Sequence, residues 1–236
     1  MAGKIYGVGV GPGDPELLTI KAVQVIRECD MIGIPAKDAA SCTAYQIAGK
    51  AVPEMEAKPV IAVAVPMTTD RERLCVAYDQ GCRELVNALK QDKKIAFLNL
   101  GDPSIYGSYM ELHKRITEAG FEAELVSGVP SFCAVAAALG VPLGSGGENI
   151  HILPGWYNLE ELELYNGTKV LMKSGGRLGE LKKRLAELEG KGQIAAYAVT
   201  NCGMEDQVVC KDIRELEDQA GYFTTVIVKE SSEKQN

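Results

Sequence analysis

The sequence predicts an α/β protein built as two α/β domains, residues 1–127 and 128–236, the second more strand-rich than the first. Three observations carry this. Short apolar, β-branched runs alternate with helix-period segments, which implies crossover connections and a mainly parallel sheet. Each run is bounded by turn residues, as buried parallel strands are. The length, 236 residues, is enough to bury a sizeable core as one large or two small domains.

The first strand is Lys4 to Val10, closed by Gly11-Pro12-Gly13. Asp14 as cap, Pro15 in the first turn and Glu16 behind it predict a helix to about Glu28, with Leu17, Ile20, Ala22, Val23 and Ile26 as its apolar stripe. Met31 to Ile34 reads as a strand stopped by Pro35, Val60 to Val65 as another, and Arg71 to Lys90 as a long amphipathic helix. Lys94 to Leu100 is a strand running into Gly101-Asp102-Pro103, followed by a helix from about Gly107 to Ala119 and a strand from Glu122 to Val126. The turn cluster Ser127-Gly128-Val129-Pro130 marks the boundary. Beyond it come a small-residue helix, Ser131 to Leu139, ended by Gly140, and strands at Asn149 to Leu153 and Lys169 to Lys173. A helix from Leu178 to Leu188, strands at Gln193 to Thr200 and Phe223 to Lys229, and a frayed polar tail, Ser231 to Asn236, complete the chain.

Composition excludes several classes. With 46% hydrophobic and 24% charged residues the chain is neither disordered nor fibrous. Its net charge of −7 argues against a nucleic-acid partner, which needs a basic face. The apolar stretches are too short to span a membrane. Seven cysteines without a CxxC pair, and no signal peptide ahead of the first strand, point to reduced thiols in a cytoplasmic protein.

Two loops carry the chemistry. Gly7-Val8-Gly9-Val10-Gly11-Pro12-Gly13 invites a dinucleotide-binding reading, but GxGxxG begun at Gly7 puts its third glycine on Pro12, and begun at Gly9 on Asp14. Asp14 and Glu16 at the helix start would also repel a pyrophosphate, so the loop suits a cationic or zwitterionic ligand better. A tight turn with a good cap accounts for it equally. Leu100-Gly101-Asp102-Pro103-Ser104-Ile105-Tyr106-Gly107 lies at the carboxyl end of a strand, where ligands of open parallel sheets gather. Gly101 admits a ligand to the backbone, Asp102 offers a carboxylate and Pro103 stiffens the turn; an Asp-capped helix start is the plainer account. His113 and His151 stand alone, without zinc-type spacing, and no metal site is expected.

Gly9 to Thr19 (GVGPGDPELLT), Gly101 to Tyr106 (GDPSIY) and Ser127 to Phe132 (SGVPSF) resemble, in order and spacing, the tetrapyrrole methylase family. Within it the chain looks most like the branch that methylates C-20 of precorrin-2 or cobalt-factor II in cobalamin biosynthesis. The resemblance implies an N-terminal mainly parallel sheet, a C-terminal mixed sheet and S-adenosylmethionine in the cleft between them, usually in a homodimer. It carries cofactor contacts to Pro12, Leu100, Gly101, Asp102, Ile105 and Tyr106, then Ser131 and Phe132, Met172 and Lys173, Asn201 and Cys202. Pro35 stands where the uroporphyrinogen methylases carry an acidic residue assigned as a base, which counts against that substrate.

Methyl transfer from a sulfonium needs the acceptor carbon about 3–3.5 Å from the methyl group and in line with sulfur, and no nucleophilic side chain. Tyr106 and Asp102 are the candidate catalytic residues, the first to orient substrate, the second to organise the cofactor. Lys37, Arg71, Arg73, Lys173 and Arg177, near loops after strands, are candidate partners for substrate carboxylates. Two alternatives stand beside this reading: methylation of another ring carbon, C-11 or C-17, and a non-catalytic nucleotide-binding module.

Overall fold

A computed structural model describes residues 3–66, 68, 70–154, 162, 164–173 and 177–231. The chain divides into two compact units, Met1–Pro130 and Ser131–Asn236. The Gly128 backbone packs on Gly9 and its amide bonds to Asp102, which ties the turn cluster to the first sheet.

The first unit holds strands β1 (Lys4–Gly9), β2 (Met31–Ile34), β3 (Val60–Ala62), β4 (Lys94–Asn99) and β5 (Glu122–Val126) in the order β3-β2-β4-β1-β5. Every pairing is parallel. Helices α1 (Ile20–Glu28), α2 (Thr43–Ala51), α3 (Arg71–Leu89) and α4 (Tyr109–Glu118) cover it. β4 shows why its strand reads as an unbroken apolar run: Ala96 and Leu98 join one core with α1 and α2, while Ile95 and Phe97 join another with α3 and α4. A strand with period-2 geometry needs apolar residues at every position when both faces are covered.

Two glycines make room for aromatic rings in the α3–α4 core. A Cβ on Gly7 would stand 2.1 Å from the Tyr109 ring, and one on Gly33 2.5 Å from the Phe97 ring. The rings lie 5.5 Å apart, tilted by 32°.

The expected first helix is two elements. Asp14 accepts from the Glu16 amide at 2.9 Å, but the turn it caps, Pro15–Leu17, is a single 3-10 turn. Thr19 caps α1 afresh through the Ala22 amide at 3.1 Å. The buried face is then Ala22, Val25 and Ile26, and Ile20 is 79% exposed. α2 escapes the sequence reading because its N-cap, Cys42, makes no side-chain cap bond and its small residues include Gly49.

The second unit holds α5 (Ser131–Leu139), β6 (Ile150–Pro154), β7 (Thr168–Met172), α6 (Leu178–Gly190), β8 (Ile194–Thr200), β9 (Val208–Cys210) and β10 (Thr224–Glu230). Its sheet runs β6-β7-β10-β8-β9 and is mixed: β6 and β7 are parallel, the other pairs antiparallel. α6 buries Leu181 and Leu185 against Leu171, Ala196, Ala198, Val226 and Val228. β9, three residues at the sheet edge with Val208 54% exposed, is too short and too open to announce itself in the sequence. Residues 232–236 of the polar tail lie outside the described residues.

Candidate active site

In the first unit, register decides which loops meet. β1 pairs in register with β4 up to Gly9↔Asn99 and with β5 up to Val8↔Val126, so the segments that follow the three strands emerge side by side at the carboxyl edge. Gly11 and Gly101 form an antiparallel bridge: the Gly101 amide donates to the Gly11 carbonyl at 2.8 Å and the Gly11 amide to the Gly101 carbonyl at 3.3 Å. Both are left-handed, with φ of 75° and 69°, a conformation only glycine adopts without strain. Gly9, Gly101 and Gly128 pack backbone against backbone: a Cβ on Gly9 would lie 2.6 Å from the Gly101 carbonyl oxygen, and one on Gly128 2.2 Å from the same atom.

Asp102, 9% exposed, ties this crossing together. Its Oδ1 accepts from the Ser104 amide at 2.8 Å and from the Ser104 hydroxyl, and its Oδ2 accepts from the Gly128 amide at 3.0 Å. With both oxygens engaged, the carboxylate organises the loops. Asn99, buried at the end of β4, donates to the Leu100 carbonyl at 2.9 Å. Sequence reasoning missed Asn99 and Gly128 as parts of this site. The available signals were a polar residue closing an apolar strand and a third glycine directly after a strand.

Pro12 is buried and Leu100 and Ile105 are half-buried. Tyr106 is 48% exposed with φ of 51°, an outlier for a bulky side chain. Gly101 is buried, and a Cβ there would meet the Val129 carbonyl at 3.9 Å, an ordinary van der Waals distance.

In the second unit, Met172 and Lys173 leave β7 and Asn201 and Cys202 leave β8 at one edge of the sheet, with the start of β10 between them: Thr225 pairs with Met172 and Thr224 with Thr200. The Thr200 and Thr224 hydroxyls are 3.0 Å apart, and the Asn201 amide donates to the Phe223 carbonyl at 3.2 Å. Thr224 and Thr225 are buried polar residues here that sequence reasoning did not place in the site. Lys173 and Asn201 have φ of 58° and 52°, so three of the four left-handed non-glycine residues among those described are predicted site positions; Asp92 is the fourth. Strained backbone of this kind gathers where geometry serves a ligand. The Asn201 amide nitrogen donates to Asp206 at 2.6 Å, and burial pushes the Cys202 thiol up, which makes it a small neutral wall residue. Ser131 and Phe132 open α5, the ring of Phe132 8% exposed.

The basic candidates are dispersed. Lys37 is exposed after β2, and Arg71 and Arg73 are exposed in the first turn of α3. Arg177 pairs with Glu180 at 3.3 Å. His113 packs edge-on against Tyr109 with ring centroids 5.7 Å apart, and His151 Nε2 lies 2.9 Å from the Asn166 carbonyl. Among the described residues no group of three or more His, Cys, Asp or Glu could hold a metal ion, and no helix is long and apolar enough to cross a membrane.

The family model for Tetrapyrrole (Corrin/Porphyrin) Methylases matches residues 4–217. A probable cobalt-precorrin-2 C(20)-methyltransferase of Methanocaldococcus jannaschii is 34% identical over 207 residues, covering 87% of this chain and 86% of the relative. A precorrin-2 C(20)-methyltransferase of Sinorhizobium sp is 32% identical over 242 residues, covering 96% and 95%. A cobalt-precorrin-4 C(11)-methyltransferase of the same Methanocaldococcus is more distant, 26% identical over 95% of this chain and 86% of its own. The crystal structure of uroporphyrin-III C-methyl transferase from Thermus thermophilus complexed with S-adenyl homocysteine matches in fold, with a TM-score of 0.64 at 21% identity over 96% and 97% of the two chains.

Proposed function

The chain belongs to the tetrapyrrole (corrin/porphyrin) methylases, and we propose that it transfers a methyl group from S-adenosylmethionine to C-20 of precorrin-2 or cobalt-factor II in cobalamin biosynthesis. The observation that carries this is identity of 34% and 32% with two C(20)-methyltransferases over 87% and 96% of this chain, above the 26% and 30% to two C(11) enzymes over 95% and 78% of it.

The residues present suit the donor. S-adenosylmethionine, when bound, supplies an already activated methyl group, so the protein's work is positioning. Gly101, buried and left-handed, supplies the turn that carries the loop at the end of β4. Pro12, Leu100, Gly101, Asp102, Ile105 and Tyr106 in the first unit, and Ser131, Phe132, Met172, Lys173, Asn201 and Cys202 in the second, are its proposed contacts. Asp102 holds the loop by its three hydrogen bonds and is a positioning residue. Tyr106, half exposed, would orient the macrocycle. Lys37, Arg71, Arg73, Lys173 and Arg177 are the proposed partners of its carboxylates, cationic groups that the net charge of −7 conceals. A homodimer and a cytoplasmic location complete the proposal; the seven cysteines, all unpaired, suit a reducing compartment.

The test is incubation of the purified protein with methyl-labelled S-adenosylmethionine and, in parallel, metal-free precorrin-2 and cobalt-factor II. The expected product carries the label on C-20 by NMR, and the better substrate decides the metal question. Label at C-11 or C-17, or none on either substrate, overturns the assignment.

A further inference from the structure

We propose that Thr19 is a positioning residue for the methyl donor, its hydroxyl closing a ring of hydrogen bonds that joins the three loops at the carboxyl edge of the first sheet. The proposal rests on the methyl-transfer reading, because the ring holds Pro12, Gly101 and Asp102, three of the proposed donor contacts.

The ring has three links. Gly11 and Gly101 exchange backbone hydrogen bonds of 3.3 and 2.8 Å, joining the loop after β1 to the loop after β4. The Gly128 amide donates to Asp102 at 3.0 Å, joining the loop after β4 to the loop after β5. The Thr19 hydroxyl donates to the Ser127 carbonyl at 3.3 Å, which joins the loop after β5 back to the segment after β1. Two links leave a chain of loops free to hinge at its ends, and the third makes a triangle. The segment from Gly11 to Thr19, on which Pro12 rides, is thereby held at both ends. A loop that hinges spends less time in its binding geometry, and apparent affinity falls by that fraction.

Thr19 does two jobs with one hydroxyl. As N-cap of α1 its Oγ1 accepts from the Ala22 amide at 3.1 Å. A hydroxyl has one proton and two lone pairs, so a lone pair caps the helix while the proton closes the ring. Capping alone does not need the proton: aspartate is an acceptor only, and it caps a helix as well as serine or asparagine does. Thr19→Asp therefore keeps the start of α1 and turns a carboxylate towards the Ser127 carbonyl. Thr19→Asn has nearly the same shape but carries an N–H₂ donor for that carbonyl. The substitutions separate the ring from the cap.

The experiment compares the full-length parent with Thr19→Ser, Thr19→Asn and Thr19→Asp. Backbone amide exchange is followed by NMR without ligand, and S-adenosylhomocysteine binding by calorimetry. Thr19→Ser and Thr19→Asn should stay within about twofold of the parent in both. Thr19→Asp should keep the protection of Val25 and Ile26 in α1. It should nevertheless exchange the Gly128 amide faster and bind S-adenosylhomocysteine about fivefold or more weakly. The loss should persist at about 0.5 M salt, where charges acting at a distance are screened.

Parent-like Gly128 exchange or parent-like affinity in Thr19→Asp would confine Thr19 to capping and overturn the proposal. Loss of protection in α1 together with Gly128 would place the effect in the helix start, and a loss that vanishes in salt would place it in the added charge; either overturns it. A parent that binds no S-adenosylhomocysteine would overturn the methyl-donor reading instead, and Gly128 exchange would still decide whether Thr19 closes the ring.

Discussion

The amide of Gly128 donates to Asp102 Oδ2 at 3.0 Å, joining the loop after β5 to the loop after β4 across 26 positions of sequence. The same carboxylate holds the Ser104 amide with its other oxygen. Asp102→Asn replaces one acceptor with a donor aimed at an N–H, which should cost about 1–3 kcal/mol in urea unfolding. The variant should bind S-adenosylhomocysteine more weakly by calorimetry while the pH profile of methyl transfer keeps its shape. Loss of one limb of that profile would instead make Asp102 an acid–base group.

Gly128→Ala tests the three-glycine crossing. Its Cβ would stand 2.2 Å from the Gly101 carbonyl oxygen, a backbone atom that cannot swing away. Overpacking there should cost about 1–3 kcal/mol, with activity falling alongside. Gly147→Ala, whose Cβ meets nothing within 4 Å, is the matched control and should stay within about 0.5 kcal/mol of the parent.

Tyr106 separates strain from contact. Tyr106→Ala and Tyr106→Gly both remove the ring, but only glycine is at ease at φ of 51°. The glycine variant should be more stable than the alanine variant by about 0.5–1 kcal/mol, the relief of left-handed strain less the greater chain entropy of glycine. Both should raise KM for the tetrapyrrole by the same factor. If alanine proves the more stable, the left-handed conformation at Tyr106 is wrong.

Glu148 sets an acid limit for the second unit. Burial pushes its carboxyl up, but the Thr168 hydroxyl at 2.7 Å and Lys229 at 3.1 Å outweigh that and hold it below the ordinary value of 4.5. A depressed folded-state pKa gives stability that is present above 4.5 and drains away as pH falls through the folded value. The Tm of the parent should therefore drop further than that of Glu148→Gln between neutral pH and pH values below 4.5. Parallel Tm curves for the two proteins would remove Glu148 from the acid response.

The sheet of the first unit was readable from β4 because an unbroken apolar run has few other uses in a chain of this composition. The site loops were readable as glycine- and proline-rich segments after strands, and through them the family. What escaped were features with no local signature. α2 lacks a side-chain cap, and β9 is a three-residue edge. The turn that Asp14 caps looks, from its own residues, like the start of the helix that Thr19 in fact begins.

The sequence by itself determined the alternation of elements, the apolar faces and the failure of the dinucleotide register, since these depend on the spacing of residue types along one chain. The tertiary structure alone decided what those loops do to one another. Parallel register places Gly9, Gly101 and Gly128 in backbone contact and assigns the Asp102 carboxylate to tying loops together, and the folded chain holds Tyr106, Lys173 and Asn201 in left-handed conformations. The reason is physical: hydrogen bonds and close packing between residues far apart in sequence exist only once the sheets have set the distances between them.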